Sequence, residues 1–252
     1  MKPWVAKYVE LDRCKVILSN KWEEDNPHYV GAPYMSSLCR EIANGQDVFL
    51  NTEIINVEMQ NDKWQLTDRK HEKTGEYDWV VFAVTPNHMK NLMHFDFDDK
   101  FQLTSKKLSA CFALMLGFND ILTINWQAAL VSNSDISWIS INSSKPDRNS
   151  KFCIIAQSKN SWADEHVNMD KGMVQSHLID ELSEILKVDM KNHDFAGIHR
   201  WRYANIEKQA GAECYMNTAL RLAVVGDWFI GSRVESAFMS GYRAAKKMEA
   251  VL

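Results

Sequence analysis

The spacing of apolar residues in the first part of the chain predicts one short helix followed by short strands. Met35, Leu38 and Ile42 recur at helical spacing, and Asn44-Gly45 supplies the end of that helix. Three β-prone segments, residues 48–50, 54–59 and 63–68, predict a meander with a hairpin loop at 60–62. The apolar run at residues 77–84 predicts a strand that is buried on both faces.

From Ser105 the pattern changes to longer β-type runs, which predict strands at residues 110–119, 136–143, 152–157, 195–203 and 220–225. Among these runs lies an amphipathic helix whose apolar face carries Val174, Leu178, Leu182 and Ile185. This combination predicts a sheet covered by a helix. The chain ends in another helix, with apolar or small residues at helical spacing at Val234, Ala237, Phe238, Gly241, Ala245 and Met248.

Charge narrows the classes of partner. The 252 residues carry 29 Lys+Arg and 33 Asp+Glu, a formal net charge of −4, with no block of Lys or Arg. Such a chain lacks the positive surface that non-specific binding to nucleic acid or to an anionic membrane requires. No apolar run approaches the roughly 20 residues of a membrane-spanning helix. A small-molecule substrate is therefore the expected partner, and neither nucleic acid nor a membrane is expected.

The cysteines and the N-terminal residues indicate in which cellular compartment the protein is expected. Five cysteines, an odd number, are widely spaced without any C-x-x-C motif: Cys14, Cys39, Cys111, Cys153 and Cys214. This pattern argues against a disulfide framework and against a structural zinc site. Residues 1–12 have no apolar segment typical of a secretory signal. We expect reduced thiols and a cytoplasmic location.

The most specific catalytic patterns are absent from the sequence. No two of the eight histidines stand four residues apart, as two ligands of a catalytic zinc on one helix face would. There is no G-x-S-x-G motif to support serine acyl-transfer chemistry. We therefore predict no metal site and assign no catalytic residue.

Residues 222–235 carry the clearest chemistry: an apolar strand, a Gly-Asp turn and the start of a helix. Gly226 would let the backbone approach a bound group, and Asp227 could accept two hydroxyl hydrogen bonds. Free N–H groups near Val234 favour negative charge. A flavin ring with its ribityl chain would match all three features. An ordinary strand-turn-helix, with Asp227 as a capping residue, is also compatible with this spacing.

Six segments, in order along nearly the whole chain, resemble the renalase-like, amine-oxidase-type flavin oxidoreductases. Gly226-Asp227-Trp228, with Gly231 and the helix start at Val234-Glu235, resembles their C-terminal FAD motif. The other segments are residues 29–36 (similar to Y-V-G-x-P-G-M-S, with Tyr34 for the glycine), 48–57 (the adenine-contacting strand), 77–86 (D-x-V-V-x-A-V-P, with Thr85 inserted), 138–148 (W-I-x-x-N-S-S-K-P-x-R) and 199–204 (H-R-W-R-Y-A).

One departure from that family is large. Its members begin with a βαβ unit whose G-x-G-x-x-G loop holds the FAD pyrophosphate, whereas none of the ten glycines here stand two residues apart. Residues 1–12 resemble family sequence that follows this unit, so we expect a chain that starts late. Three explanations compete: a mis-set start, a gene split into two chains and a real loss. We favour a truncated chain. We expect impaired FAD binding, and a split gene would supply the Rossmann segment as a partner chain.

The resemblance implies a mixed α/β (α+β) fold that forms the C-terminal part of a two-domain FAD-binding oxidoreductase. Residues 1–104 and 205–252 would belong to an incomplete FAD domain, and residues 105–204 would form a substrate-binding sheet with covering helices. The implied reaction is hydride transfer from a dihydronicotinamide or an amine to the flavin, with O₂ as the acceptor. The alternative is a non-catalytic remnant or interaction module that no longer holds FAD.

The resemblance also implies which residues form the sites. The cofactor contacts would be Ile54, Gly226, Asp227, Gly231, Val234 and Glu235, and the substrate contacts Trp138, Asn142 and Arg202. Simpler interpretations stand beside these. Trp138 suits a core residue, and Arg202, flanked by two aromatic residues, suits a structural ion pair or cation–π contact. Lys145 suits a loop charge, and Glu235 suits a helix start because it favours the helix dipole.

Overall fold

The expected mixed α/β fold is confirmed by a computed structural model, which describes residues 1–22, 28–93, 103, 106–148 and 151–252. The strands are β1 (Lys2–Pro3), β2 (Ala6–Asp12), β3 (Lys15–Trp22), β4 (Tyr29–Val30), β5 (Ile54–Gln60), β6 (Lys63–Asp68), β7 (Lys73–Tyr77), β8 (Val80–Phe82), β9 (Ser109–Phe118), β10 (Ala128–Ser132), β11 (Ile136–Ile141), β12 (Phe152–Ser158), β13 (Phe195–Asn205), β14 (Tyr215–Asn217) and β15 (Leu222–Val224). The helices are α1 (Ser37–Ile42), α2 (Pro86–Leu92), α3 (Asn160–His166), α4 (Lys171–Leu186) and α5 (Val234–Glu249).

The described residues form two compact units. Unit 1 contains Met1–Val48 and Ser109–Arg202, and unit 2 contains Phe49–Leu108 and Tyr203–Leu252. The predicted division placed residues 1–48 with the segment up to residue 104, whereas these residues pack with 109–202. The reason is a long-range parallel pairing of β2 with β10, which local spacing does not reveal. The predicted boundary at 104/105 lies outside the described residues, and the functional names of the parts stay predictions.

Unit 1 is built on a seven-stranded sheet in the order β13-β9-β12-β11-β10-β2-β3. Helix α4 forms as predicted, with Val174, Leu178, Leu182 and Ile185 all buried. These side chains pack into one apolar core with the sheet residues Val9, Leu116, Ile139 and Ile154, among others. Because side chains alternate across a strand, the residues between these core positions lie on the opposite face of the sheet.

The start of α4 offers a test of stability. The Asp170 carboxylate accepts hydrogen bonds from the backbone N–H groups of Gly172 (2.8 Å) and Met173 (3.2 Å). We expect Asp170→Ala to lower the free energy of unfolding by about 1 kcal/mol, because two N–H groups of the first turn lose their acceptor. Urea denaturation followed by circular dichroism measures the change. Asp170→Ser, which keeps a capping oxygen, is the control, and an equal loss in both variants would contradict the capping role.

Unit 2 contains two three-stranded sheets, β14-β15-β8 and β5-β6-β7. The predicted meander is present, but its third strand is β7 rather than residues 48–50. Phe49 and Leu50 lie in a loop and are each 77% exposed, since they find no strand partner there. Asn61 and Asp62 form the turn between β5 and β6 with φ values of 50° and 63°, which is typical of a tight hairpin.

The predicted strand at residues 77–84 is wrong in extent and in burial. Tyr77 ends β7, and only Val80–Phe82 pair with β15, in parallel. Val80 and Phe82 are buried while Val81 is 45% exposed. The apolar run therefore has one buried face rather than two within unit 2.

The last helix has a different buried face from the predicted one. Its buried residues are Ser236, Ser240 and Ala244, whereas Val234 and Phe238 are exposed. The Ser240 hydroxyl accepts from the Gly226 N–H (3.0 Å) and donates to the Glu213 carbonyl (2.6 Å), so small side chains allow α5 to approach the turn closely. None of the helices in the described residues combines the length and the apolar character needed to cross a bilayer.

Candidate functional site

The predicted cofactor turn lies in unit 2, between β15 and α5. At Gly226 an added Cβ would lie 2.3 Å from the Trp228 Nε1 and 2.6 Å from its Cδ1. Trp228 is 1% exposed, and its Nε1 donates to the Val84 carbonyl (3.1 Å). The space beside Gly226 is therefore filled by an indole ring of the chain itself. This packing explains the glycine without a ligand, and its contact with a flavin stays a prediction.

Asp227 has the properties that the predicted hydroxyl acceptor requires. It begins a short 3₁₀ turn, and its side chain is half-buried. Burial raises the pKa of the Asp227 carboxyl, while hydrogen bonds from the backbone N–H groups of Trp228 and Asp227 act in the opposite direction. Of the ion pairs among the described residues, none involves Asp227. The carboxylate keeps acceptor capacity for a polar ligand.

Helix α5 begins without a side-chain cap. Arg233 occupies the N-cap position, and its side chain makes no capping hydrogen bond to the first N–H groups. The positive end of the helix dipole lies at this turn. Glu235 is exposed in the first turn, consistent with its simpler interpretation. Asp227 and this end of α5 therefore supply the acceptor and the positive dipole end that the predicted flavin contact requires, and the contact itself stays a prediction.

The remaining predicted cofactor residues are placed as follows. The Gly231 N–H donates to the Asp227 carbonyl (2.7 Å), which closes the turn. Val234 is the first residue of α5 and is 63% exposed. Ile54 begins β5 and lines a groove of about 280 Å³ with Phe49, Leu66 and Tyr77, among others. The structure thus brings together the residues of 226–235, and Ile54 lies on the separate three-stranded sheet of the same unit.

Trp138 lies on β11 of unit 1, in a group of aromatic side chains on the sheet face opposite the helices. We call this group, Trp4, Tyr8, Trp22, His28 and Trp138, the aromatic platform. Tyr8 stacks on Trp22 with ring centroids 5.3 Å apart, and Trp138 lies 6.3 Å from each of these two rings. Burial, with the Glu10 carboxylate, raises the pKa of Tyr8 to about 12, so its hydroxyl stays a proton donor. Trp138 is half-buried, so it is neither a fully buried core residue nor a free surface ring.

Asn142 follows β11 and begins a short 3₁₀ turn next to this platform. Its Oδ1 accepts a hydrogen bond from the Lys145 Nζ (3.1 Å), and that ammonium lies 5.3 Å from the centroid of the Trp4 ring. Burial, and secondarily the charge of Arg148, lowers the pKa of Lys145 to about 8. Lys145, interpreted from the sequence as a loop charge, is thus a half-buried cation on an aromatic face.

Arg202 is not brought to the other predicted substrate residues. It lies on β13, which β9 and β12 separate from β11 in the sheet order. Its Nη1 donates to the Asn168 Oδ1 (3.0 Å), and its side chain is exposed. Within unit 1 this position suits the structural interpretation. Sequence reasoning missed Trp4, Tyr8, Trp22 and His28; their only signal was the density of aromatic residues near the N-terminus.

Comparison with known proteins identifies the family. Residues 23–248 match the model of the flavin-containing amine oxidoreductases. Among solved structures, a protein described as "putative protoporphyrinogen oxidase" from Exiguobacterium sp. 255-15 is similar with a TM-score of 0.66 and 13% identity, covering 87% of this chain and 51% of its own. Wild-type putrescine oxidase bound to putrescine is similar with a TM-score of 0.59 and 14% identity, covering 95% of this chain and 56% of its own.

These structural likenesses concern the fold, and the chain spans about half the length of the solved structures that it matches. The family match takes in most of unit 1 and nearly all of unit 2. The turn at Asp227 lies within the matched residues, as do His28 and Trp138 of the aromatic platform, whereas Trp4, Tyr8 and Trp22 precede them. On this match, the chain belongs to the flavin-containing amine oxidoreductase family.

Proposed function

We propose that this chain is part of a renalase-like, FAD-dependent oxidoreductase that takes hydride from a reduced small molecule, a dihydronicotinamide or an amine, with O₂ as the acceptor. The observation that carries the proposal is the half-buried Asp227 carboxylate, which is in no ion pair among the described residues, beside the start of α5, in a chain of this family. When bound, FAD supplies the hydride acceptor and the route of electrons to O₂. The chain's own residues would bind the cofactor and the substrate and orient them.

Asp227 would accept hydrogen bonds from the ribityl hydroxyls, and the N-terminus of α5 would favour negative charge on the reduced ring. Ile54, Gly231, Val234 and Glu235 are the further cofactor contacts that we propose. The aromatic platform would hold a planar substrate, with Trp138 as a stacking surface and Asn142 as a polar contact. A dihydronicotinamide needs no general base, because its nitrogen lone pair drives hydride departure, whereas an amine must first lose a proton.

We also propose that a Rossmann segment on a separate chain supplies the pyrophosphate site. Strand β8 pairs with β15 in parallel, and among the described residues its other edge has no partner. Parallel sheets are normally extended and covered on both faces, so an open parallel edge with Val81 exposed suits the addition of a βαβ unit. We place the protein in the cytoplasm, since all five cysteines are free thiols.

Co-expression tests this proposal. The genomic segment upstream of Met1 is read for a G-x-G-x-x-G unit and expressed together with the full chain. We expect a yellow complex whose visible absorbance bleaches when a dihydronicotinamide is added without air. On admission of O₂, the absorbance should recover with release of hydrogen peroxide. The full chain expressed alone is the control and is expected to purify colourless or weakly yellow.

Two outcomes would count against the proposal. Stoichiometric, tightly bound FAD in the chain alone would refute the need for a second segment. An upstream region without such a unit, together with a chain that takes up no flavin, would favour the non-catalytic remnant or interaction module. The filled space beside Gly226 is the observation that favours this second candidate.

A further inference from the structure

The loop after β11 places two cations side by side. We call residues 142–148 the basic loop, because it carries Lys145 and Arg148. The Arg148 N–H donates to the Lys145 carbonyl (3.4 Å), so the two residues occupy one turn. The loop is anchored at Ser144, whose hydroxyl accepts from the Trp4 Nε1 (3.1 Å) and donates to the Ile141 carbonyl (2.7 Å). The backbone that carries the two cations is therefore held in place by these hydrogen bonds.

The guanidinium of Arg148 is only partly used by the protein. Its Nη2 donates to the Gly31 carbonyl (3.0 Å), but its Nη1 is buried and has no hydrogen-bond partner. An unsatisfied buried donor is costly, and more so when the group is charged. Two other arginines, Arg200 and Arg221, also have a buried unpaired Nε, but Arg148 is the one beside a second half-buried cation.

Among the described residues, no carboxylate neutralises this pair. The acidic residue of the loop, Asp147, is paired with the Lys2 Nζ at 2.8 Å. Within the described ranges, neither Lys145 nor Arg148 is recorded in an ion pair. Two like charges that share a partly desolvated site repel each other. An anion between them would relieve the repulsion and satisfy the Arg148 Nη1.

We propose that Lys145 and Arg148 form an anion subsite at the edge of the aromatic platform, which takes a planar ring that carries a phosphate or a carboxylate. The ring would stack on the platform, and the anionic group would reach the two cations. As a statement about the substrate, the inference rests on the proposed function, whereas the binding itself does not. A protonated amine would meet two positive charges here. Of the two substrate classes, the subsite favours a dihydronicotinamide that carries a phosphate.

The test uses the full chain without flavin and three probes with the same ring: phenyl phosphate, benzoate and benzylamine. Isothermal titration calorimetry measures affinity, and tryptophan fluorescence reports contact with the platform. We expect both anions to bind at least about tenfold more tightly than benzylamine. The tighter of the two anions identifies the group, phosphate or carboxylate, and either result supports the subsite. Equal affinity for benzylamine and benzoate would overturn it.

Variants separate the cations from the ring surface. We expect Lys145→Gln and Arg148→Gln each to weaken phenyl phosphate binding by about tenfold or more, and Lys145→Arg to retain it. Lys151→Gln, which removes an exposed lysine of the same unit, is the matched control and is expected to change nothing. Lys145→Gln keeps the contact of Arg148 with Gly31, so it tests the subsite even where Arg148→Gln disturbs the fold.

Unchanged affinity in Lys145→Gln would reject the anion subsite. Because no flavin is present, that result would leave the proposed function standing. Conversely, failure of the co-expression experiment would reject the proposed function without touching these titrations.

Discussion

Gly226→Ala is expected to lower the free energy of unfolding by about 3 kcal/mol, although the residue lies in a turn. The added methyl would be placed 2.3 Å from the Trp228 Nε1. The indole cannot easily withdraw, because it is 1% exposed and donates to the Val84 carbonyl. Chemical denaturation of the full chain, without flavin, measures the loss.

A double-mutant cycle identifies the cause. Trp228→Ala alone should cost about 4 kcal/mol, as for other fully buried large side chains. In that background, Gly226→Ala should cost less than about 0.5 kcal/mol, because the atoms that it meets are gone. Gly241→Ala in α5 is the control: its Cβ would meet nothing within 4 Å, so we expect a gain of up to about 1 kcal/mol. Additive losses at Gly226 and Trp228 would contradict the packing explanation.

Local spacing predicted the elements whose buried face is apolar. Helix α4 is the clear case, because the four apolar residues at helical spacing are the ones that the sheet needs to cover its face. Strands β9, β11 and β12 were predicted near their observed positions for the same reason, and β13, which has no fully buried residue, was also predicted near its observed position. In these elements the hydrophobic effect and the periodicity point to the same face.

The pattern failed where close packing, rather than apolar area, decides the buried face. In α5 the residues that face the protein are two serines and an alanine, because the helix approaches the Gly226 turn through a hydroxyl hydrogen bond. Because these side chains are small, the backbone of α5 can lie close to the turn, which a side chain as large as that of Phe238 at the same positions would prevent. The apolar residues of α5 that are exposed, such as Val234 and Phe238, stand at helical spacing, so the periodicity indicated the wrong face as buried.

The candidate sites also differ in how far the sequence could predict them. The turn at Asp227 was found from the sequence because its residues are neighbours in the chain. The aromatic platform and the basic loop were not, because Trp4 and Ser144, which hold them together, are 140 residues apart. Lys145 could be singled out only once Trp4 and Arg148 were seen beside it.

Substitutions of Asp227 are expected to have opposite effects on stability and on flavin retention. Burial raises the pKa of its carboxyl, so the ionised form is disfavoured in the folded chain. A raised folded pKa means that this residue adds stability at acidic pH and loses it as the pH rises through that value. Asp227→Asn should therefore leave the flavin-free chain at neutral pH at least as stable as the wild type, which thermal unfolding at pH 7 and pH 5 measures.

In the co-expressed complex, Asp227→Ala should weaken flavin retention by about ten- to a hundredfold, because hydrogen bonds to a charged acceptor are worth about 1.5–3 kcal/mol. Asp227→Asn, which keeps a neutral acceptor, should lie between the alanine variant and the wild type. Flavin released on stepwise dilution, measured by fluorescence, gives the dissociation constants. Glu207→Ala, at an exposed carboxylate of the same unit, is the control. A residue held only for capping would give the reverse pattern, with lower stability and unchanged flavin content, and that result would remove Asp227 from the cofactor site.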